Sequence, residues 1–345
     1  MSTFTTIIAA VLVFCFMVLV HEFGHFIVAK ACRVYVEDFS IGMGPRLLHW
    51  QGKETEYCLR LLPLGGWCKM RGEDEDSEDE RAFCRRPVWQ RICIVAAGPI
   101  MNFLSAFLIY VVIYMILGIA VPSNLVGEVS PDSPAALAGM EAGDRLLSIN
   151  GQEIQNWADI DPAMDLEEAG SIEVWVQRDG EELQFLLTPE YDAASSRWLM
   201  GIYSSLEESS LQKEGFFQSI SLGLKQSISM LKLLASSIVG MIGGTVPVDI
   251  SGPVGIVTVI GQAANDSLRS VLSLLAFLSL NLGFMNLIPL PALDGSRIIF
   301  LAIEGIRGKA INREIEGIVH FVGLILLMGL MLLITYQDIV RLVTG

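Results

Sequence analysis

Residues 5–30 read TTIIAAVLVFCFMVLVHEFGHFIVAK, an apolar run that carries His21, Glu22 and His25 near its end. A helix crosses a bilayer with about 20 apolar residues, so this run is long enough to span. It has no basic leading segment, and its apolar character is interrupted by ionisable groups rather than by a small-residue cleavage site. It therefore reads as a retained span, not a signal peptide. Three further runs of sufficient length lie near residues 92–121, 271–303 and 318–336. The expected fold is a multi-pass α-helical membrane protein with four transmembrane helices.

Composition supports that reading. The 345 residues are 52% hydrophobic and only 18% charged, with a mean hydropathy of +0.53. Such a chain is neither disordered nor a wholly soluble enzyme. The net charge of -15 is local: residues 119–210 hold 3 Lys and Arg against 18 Asp and Glu, and the remainder holds 20 against 20. No basic face is available for nucleic acid. The segment from Lys30 to Arg91 carries 11 of the 23 basic residues, and Arg307, Lys309 and Arg313 cluster in a short later loop. Basic loops face the cytoplasm, which puts the acidic block and both termini outside. All six cysteines fall between Cys15 and Cys93, outside the acidic block, so no disulfide framework is implied. The irregular spacing of Cys58, Cys68 and Cys84 makes a poor zinc knuckle.

Four regions follow. Residues 1–122 hold the first two spans and a cytoplasmic β-hairpin region, with strand-like segments at 34–45 and 57–66. The acidic run 73–80 within it reads as a solvated loop. Residues 123–192 form a compact β-rich domain with turn signals at Asn150-Gly151 and Asp179-Gly180. Residues 210–245 hold an amphipathic helix, with Phe217, Ile220, Leu224, Ile228, Leu231, Leu234 and Ile238 at helical period, lying on the outer surface or against the spans. Residues 250–345 hold the last two spans.

The chemistry concentrates at His21-Glu22-Phe23-Gly24-His25. Residues four apart share a helix face, so both histidines can address one metal ion, with Glu22 beside them to activate water. Ionisable groups are expensive inside a span and mark function by default; two of the chain's four histidines lie here. At 1.5 Å per residue, Glu22 lies roughly 12 Å deeper than Lys30. Catalytic zinc needs a third protein ligand and an open fourth position. The third apolar run contains NLIPLPALDG (residues 286–295), in which Pro289 and Pro291 break the helix and Asp294 is a lone carboxylate. Such a break is tolerated only against protein or a wet cavity. Asp294 by itself reads equally well as a turn residue before Gly295.

HEFGH in a first span with NLIPLPALDG in a late one resembles the site-2 protease family of intramembrane zinc metalloproteases, in particular its bacterial RseP- and RasP-like group. The likeness extends to Gly42-Met43-Gly44-Pro45, Leu64-Gly65-Gly66, AGPIMN (residues 97–102) and SGPVG (residues 251–255). It implies Zn2+ as cofactor, His21, His25 and Asp294 as its ligands, and Glu22 as general base. It also implies substrate-side roles for Asn286 and Asn102; a helix cap for the first and a helix-packing hydrogen bond near Gly98 for the second stay open. Residues 127–151, GEVSPDSPAALAGMEAGDRLLSING, resemble a bacterial PDZ domain, with Asn124–Gly127 as its peptide loop. A bound peptide would join the partners, which are otherwise single-span membrane protein substrates and the lipid bilayer, with no nucleic acid. The resemblance places the chain in the cytoplasmic membrane, with the PDZ domain outside and the active site opening inward. A transporter with a broken helix would show inverted repeats, and none is present. A catalytically dead PDZ adaptor would have lost a ligand or the base.

Overall fold

The computed structural model describes residues 3–73, 75–164, 170–192, 197–205, 209–244, 252–309 and 312–344. Helix α1 (Thr3–Ala31) is followed by strands β1 (Val36–Gln51) and β2 (Glu56–Met70), then by α2 (Val88–Val112). Next come β3 (Ile119–Pro122), β4 (Val126–Val129), α3 (Pro134–Ala138), β5 (Arg145–Ile149), β6 (Gln152–Glu153) and α4 (Ile160–Ala163). Strands β7 (Ile172–Arg178), β8 (Glu181–Leu187), β9 (Glu190–Asp192), β10 (Arg197–Leu199), β11 (Ile202–Ser204) and β12 (Ser209–Gln212) follow. The chain closes with α5 (Phe216–Ile242), α6 (Pro253–Asp266), α7 (Leu268–Leu287), α8 (Asp294–Arg307) and α9 (Arg313–Thr344). It divides into two compact units, residues 114–215 and the remainder.

In the larger unit four helical stretches are long and apolar enough to cross a membrane: Phe4–Ala31, Val88–Leu117, Leu268–Leu287 and Glu314–Val340. The second ends earlier than its apolar run because Gly118 turns the chain at φ +80 and residues 119–122 enter a strand. The third ends where two prolines were expected to break it. Helix α5 packs along α2, Gly223 meeting Val111. Helix α6 went unread in the sequence, since 14 residues are too few for a span. It packs on α1 at Gly261 and Thr6, and its amino end receives a cap from another helix: Asp338 of α9 accepts from Gly252 N–H (3.2 Å) and Gly255 N–H (2.8 Å). A carboxylate there satisfies amides that no intrahelical carbonyl can reach.

Strands β1 and β2 pair in shorter segments, Leu48–Gln51 with Leu59–Glu56 next to the turn and Val36–Ile41 with Met70–Gly66 at the other end. Both strands bend, so Ile41 faces Gly66 on one side and Leu59 on the other. Ion pairs tie this sheet to the end of α1. Glu54 bonds Arg81 (2.8 Å) and Lys30 (3.1 Å), and those hydrogen bonds hold its carboxyl down to about 2. The acidic run is less free than expected: Asp79 binds Arg71 at 2.6 Å and Glu73 pairs with Arg297 of α8, leaving Glu75, Glu78 and Glu80 exposed.

The smaller unit is β-rich, as its turn signals predicted. Strands order β6-β5-β7-β8, with Asn150-Gly151 joining β5 to β6 and Asp179-Gly180 joining β7 to β8. All four turn residues have positive φ, 51 to 88°, the backbone that two-residue hairpins with right-twisted strands require. Leu146, Ile149, Ile172, Val174 and Val176 form its core, each fully buried. Asp144, also fully buried, is held by Arg178 through two bonds of 2.6 and 2.7 Å. Within the expected peptide loop, Asn124–Gly127, Val126 N–H donates to Asp144 O and Leu125 N–H to Ser123 Oγ, while Val126–Val129 pairs with β11.

A candidate metal centre between α1, α2 and α8

His21 and His25 lie one turn apart on the buried face of α1. Their helix reaches α2 closely because neither backbone carries bulk at the seam. A Cβ on Gly24 would strike the Ala97 carbonyl, and one on Gly98 would strike the His25 ring and come within 2.9 Å of His21 Cε1. The AGP segment of α2 is therefore the floor on which both imidazoles rest. Asp294 arrives from the other side as the first residue of α8, after the break at Pro289 and Pro291. Gly295 lets that helix start directly against the Leu287 and Ile288 carbonyls at the end of α7.

The three donor atoms converge. His21 Nε2 lies 3.2 Å from Asp294 Oδ2, His25 Nε2 lies 3.6 Å from it, and the two imidazole nitrogens are 3.2 Å apart. Tetrahedral zinc with bonds of 2.0–2.1 Å spaces its ligands by about 3.3–3.4 Å. The protonation pattern agrees. His25 Nδ1–H donates to the Ile94 carbonyl at 2.9 Å, which leaves Nε2 with its lone pair. His21 Nδ1 faces the Asn102 side-chain amide, its nitrogen 3.2 Å away, while Asn102 Oδ1 is buried without a partner. Turning that amide end for end gives Oδ1 the Nδ1 proton and frees His21 Nε2 in the same way. Asp294 Oδ2 is likewise buried with no hydrogen-bond donor. Two lone pairs and a carboxylate oxygen at these distances repel one another unless a cation lies among them, so the residues fit a zinc ion. The histidine set thus arrives with the outer partners that orient metal ligands.

Glu22 is beside the trio and interacts electrostatically with all three. Strand β2 backs it: a Cβ on Gly66 would strike Glu22 Cγ and lie 2.8 Å from Val18. Asn102 is fully buried. Its backbone carbonyl accepts from Ser105 Oγ (2.9 Å) and Ser279 Oγ (3.1 Å), a polar lattice between α2 and α7. Asn286 is half-buried on the last turn of α7, its amide without a hydrogen-bond partner among the described residues. A cavity of about 1570 Å³ borders Asp294 and is lined by Glu73, Arg91, Arg297, Glu304 and His320 among others. Arg91 and Glu304 form a two-point ion pair in its wall, at 2.5 and 3.1 Å.

Two residues of the site escaped the sequence reading. Ala292, between Pro291 and Leu293, has φ +72, a left-handed backbone that costs a non-glycine residue roughly 1–2 kcal/mol. His320 Nδ1 accepts the Ala292 N–H at 3.1 Å. The signal for His320 was available: it is an ionisable residue inside an apolar run.

A second group of donors, Asp38, Glu56 and Cys58, also lies close together. Arg60 (2.9 Å) already neutralises Asp38, and Arg46 (2.8 Å) neutralises Glu56, so no cation is called for there. Cys58, Cys68 and Cys84 do not assemble into a metal cluster among the described residues.

Comparison with known proteins agrees with this chemistry. A chain of Clostridium acetobutylicum, provisionally named a zinc metalloprotease, is 38% identical over 339 residues that cover 98% of each chain. The regulator of sigma-W protease RasP of Bacillus subtilis is 32% identical, covering 98% of this chain and 99% of its own. The zinc metalloprotease RasP of Bacillus licheniformis matches to the same extent. Peptidase family M50 matches residues 9–330, which include every donor of the centre. With two histidines and an aspartate spaced for zinc and a glutamate at their side, the chain belongs to peptidase family M50 and is a metalloendopeptidase.

Proposed function

We propose that this protein cuts peptide bonds within or next to transmembrane segments of single-span membrane proteins. The observation that carries the reading is the position of the centre: His21, Glu22 and His25 belong to a helix of 28 apolar-rich residues fit to cross a bilayer. His21, His25 and Asp294 would hold the zinc ion, which would supply Lewis-acid chemistry to water and to the substrate carbonyl. Glu22 accepts the proton of the attacking water as the new C–O bond forms, and delivers it to the amide nitrogen as the C–N bond breaks. His25 is kept in the ligating tautomer by the Ile94 carbonyl, and His21 by the Asn102 amide.

A helical substrate keeps its carbonyls in intrachain hydrogen bonds and must unwind before attack. The contact of Gly66 with Glu22 supports presentation as an added strand along β2, next to the base. The unpartnered amide of Asn286 supports a role in gripping the substrate backbone. Reconstituted protein given a single-span substrate should release fragments whose new ends, by mass spectrometry, lie inside the hydrophobic segment. Cuts confined to exposed loops would refute the intramembrane reading.

The basic loops between α1 and α2 and after α8 support an orientation with the centre toward the cytoplasm and the acidic block outside. Fragments left after a first external cut and remnant signal peptides then qualify as substrates. The acidic outer unit serves as a peptide-binding module of the PDZ type that favours neutral or basic chains. In a cysteine-free background, Glu182→Cys should react with an impermeant thiol reagent on intact cells, and Lys53→Cys only after permeabilisation. The reverse pattern would invert this orientation.

A further inference from the structure

The turn that delivers Asp294 is held from outside. Ala292, two residues before it, keeps a left-handed φ of +72, and its methyl group offers no polar atom to bond the local backbone as an Asn or Asp side chain can. Helix α9 touches this turn at two points on one face. His320 Nδ1 accepts the Ala292 N–H at 3.1 Å. Three residues on, Gly323 lies so close to Pro291 that a Cβ there would strike the proline ring. The His320 ring is in turn set by Phe300 of α8, 5.9 Å between centroids, and by Glu316 one turn back, 3.9 Å away. The apolar window of α9 is the least buried of the four candidate spans. At its far end, Asp338 ties α9 to the start of α6.

We propose that His320 is a positioning residue for the metal centre: by accepting the Ala292 N–H, it holds the left-handed turn that aims Asp294 at the zinc ion. The proposal rests on Asp294 being a ligand. Without the acceptor, Ala292 relaxes toward negative φ, the start of α8 rotates, and the carboxylate leaves its place between the two imidazoles. The chemistry that selects histidine is specific. The residue must offer an uncharged acceptor at the Nδ1 position, and an asparagine Oδ1 can stand at nearly that point. Glycine at 292 removes the need, because it adopts positive φ freely.

The test measures zinc affinity, by competition with a chromophoric chelator, on the full-length protein in detergent. The proteins are wild type, His320→Ala, His320→Asn, Ala292→Gly, the Ala292→Gly/His320→Ala double variant and Asp294→Ala. His320→Ala should bind zinc about 10–100-fold more weakly, the usual loss for an outer-shell partner. His320→Asn should stay within a few-fold of wild type, and Ala292→Gly should recover at least half of the loss in the double variant, on a logarithmic scale. A merely structural role for His320 would not respond to glycine 28 residues away. Wild-type affinity in His320→Ala overturns the proposal, as does a double variant no better than the single one, whatever the melting temperatures. Asp294→Ala separates the two layers: if it retains zinc, the ligand assignment fails and the proposal with it; if it loses zinc while His320→Ala keeps it, only the proposal fails.

Discussion

Replacing Glu22 with glutamine is expected to stop peptide hydrolysis while the protein keeps its zinc. Glutamine has the shape of glutamate and still fits against Gly66, so β2 and α1 keep their contact. It cannot accept a proton at neutral pH. The ligand atoms belong to His21, His25 and Asp294, and their spacing of 3.2 to 3.6 Å does not depend on the glutamate. A positioned general base contributes about 10²–10⁴-fold, so kcat should fall by that factor or more, about 3–5 kcal/mol of barrier. The measurement is turnover in proteoliposomes beside elemental analysis of the same preparation. Zinc loss in Glu22→Gln, or activity within tenfold of wild type, would remove Glu22 from the role of base.

Replacing a ligand should have the opposite signature, loss of zinc and of turnover together. Asp294→Ala leaves two imidazole lone pairs facing each other at 3.2 Å with no carboxylate to complete the set. His21→Ala leaves one imidazole and one carboxylate. Two protein ligands hold zinc weakly, and content after dialysis should fall below about a tenth of an equivalent per chain. Asn102→Leu gives the graded intermediate: it removes only the group that orients the His21 ring, and affinity should drop about 10–100-fold. Equal zinc in Glu22→Gln, His21→Ala and Asp294→Ala would refute the ligand set. An unchanged affinity in Asn102→Leu would reduce Asn102 to a packing residue between α2 and α7.

The ligand residues were readable because their chemistry is out of place where they stand. A histidine pair and a glutamate inside an apolar run have high energy in hydrocarbon, and beside them the carboxylate after two prolines in another run reads as a third donor rather than a turn residue. Asn102 was found by resemblance, but its surroundings were not: the carbonyl that accepts from Ser105 and Ser279 says that it is enclosed between helices, facing His21 rather than open lipid. At Asn124–Gly127 the motif did not reveal where the amides point: Val126 N–H donates to the Asp144 carbonyl and Leu125 N–H to Ser123 Oγ.

The order of residues along the chain was enough to single out the four candidate spans, the two-residue turns of the β-rich unit and the candidate metal donors. Each rests on local physics: apolar length, positive φ at Asn-Gly and Asp-Gly, and the cost of ionisable groups in an apolar run. Tertiary structure decided what depends on approach between distant segments. These are the seating of both imidazoles on Gly98, the 3.2 Å meeting of His21 with a carboxylate 273 residues away, the backing of Glu22 by Gly66, and the hold of His320 on Ala292. No periodicity encodes such contacts, because they are settled by how closely whole helices and strands can pack, and that is a property of the assembled fold.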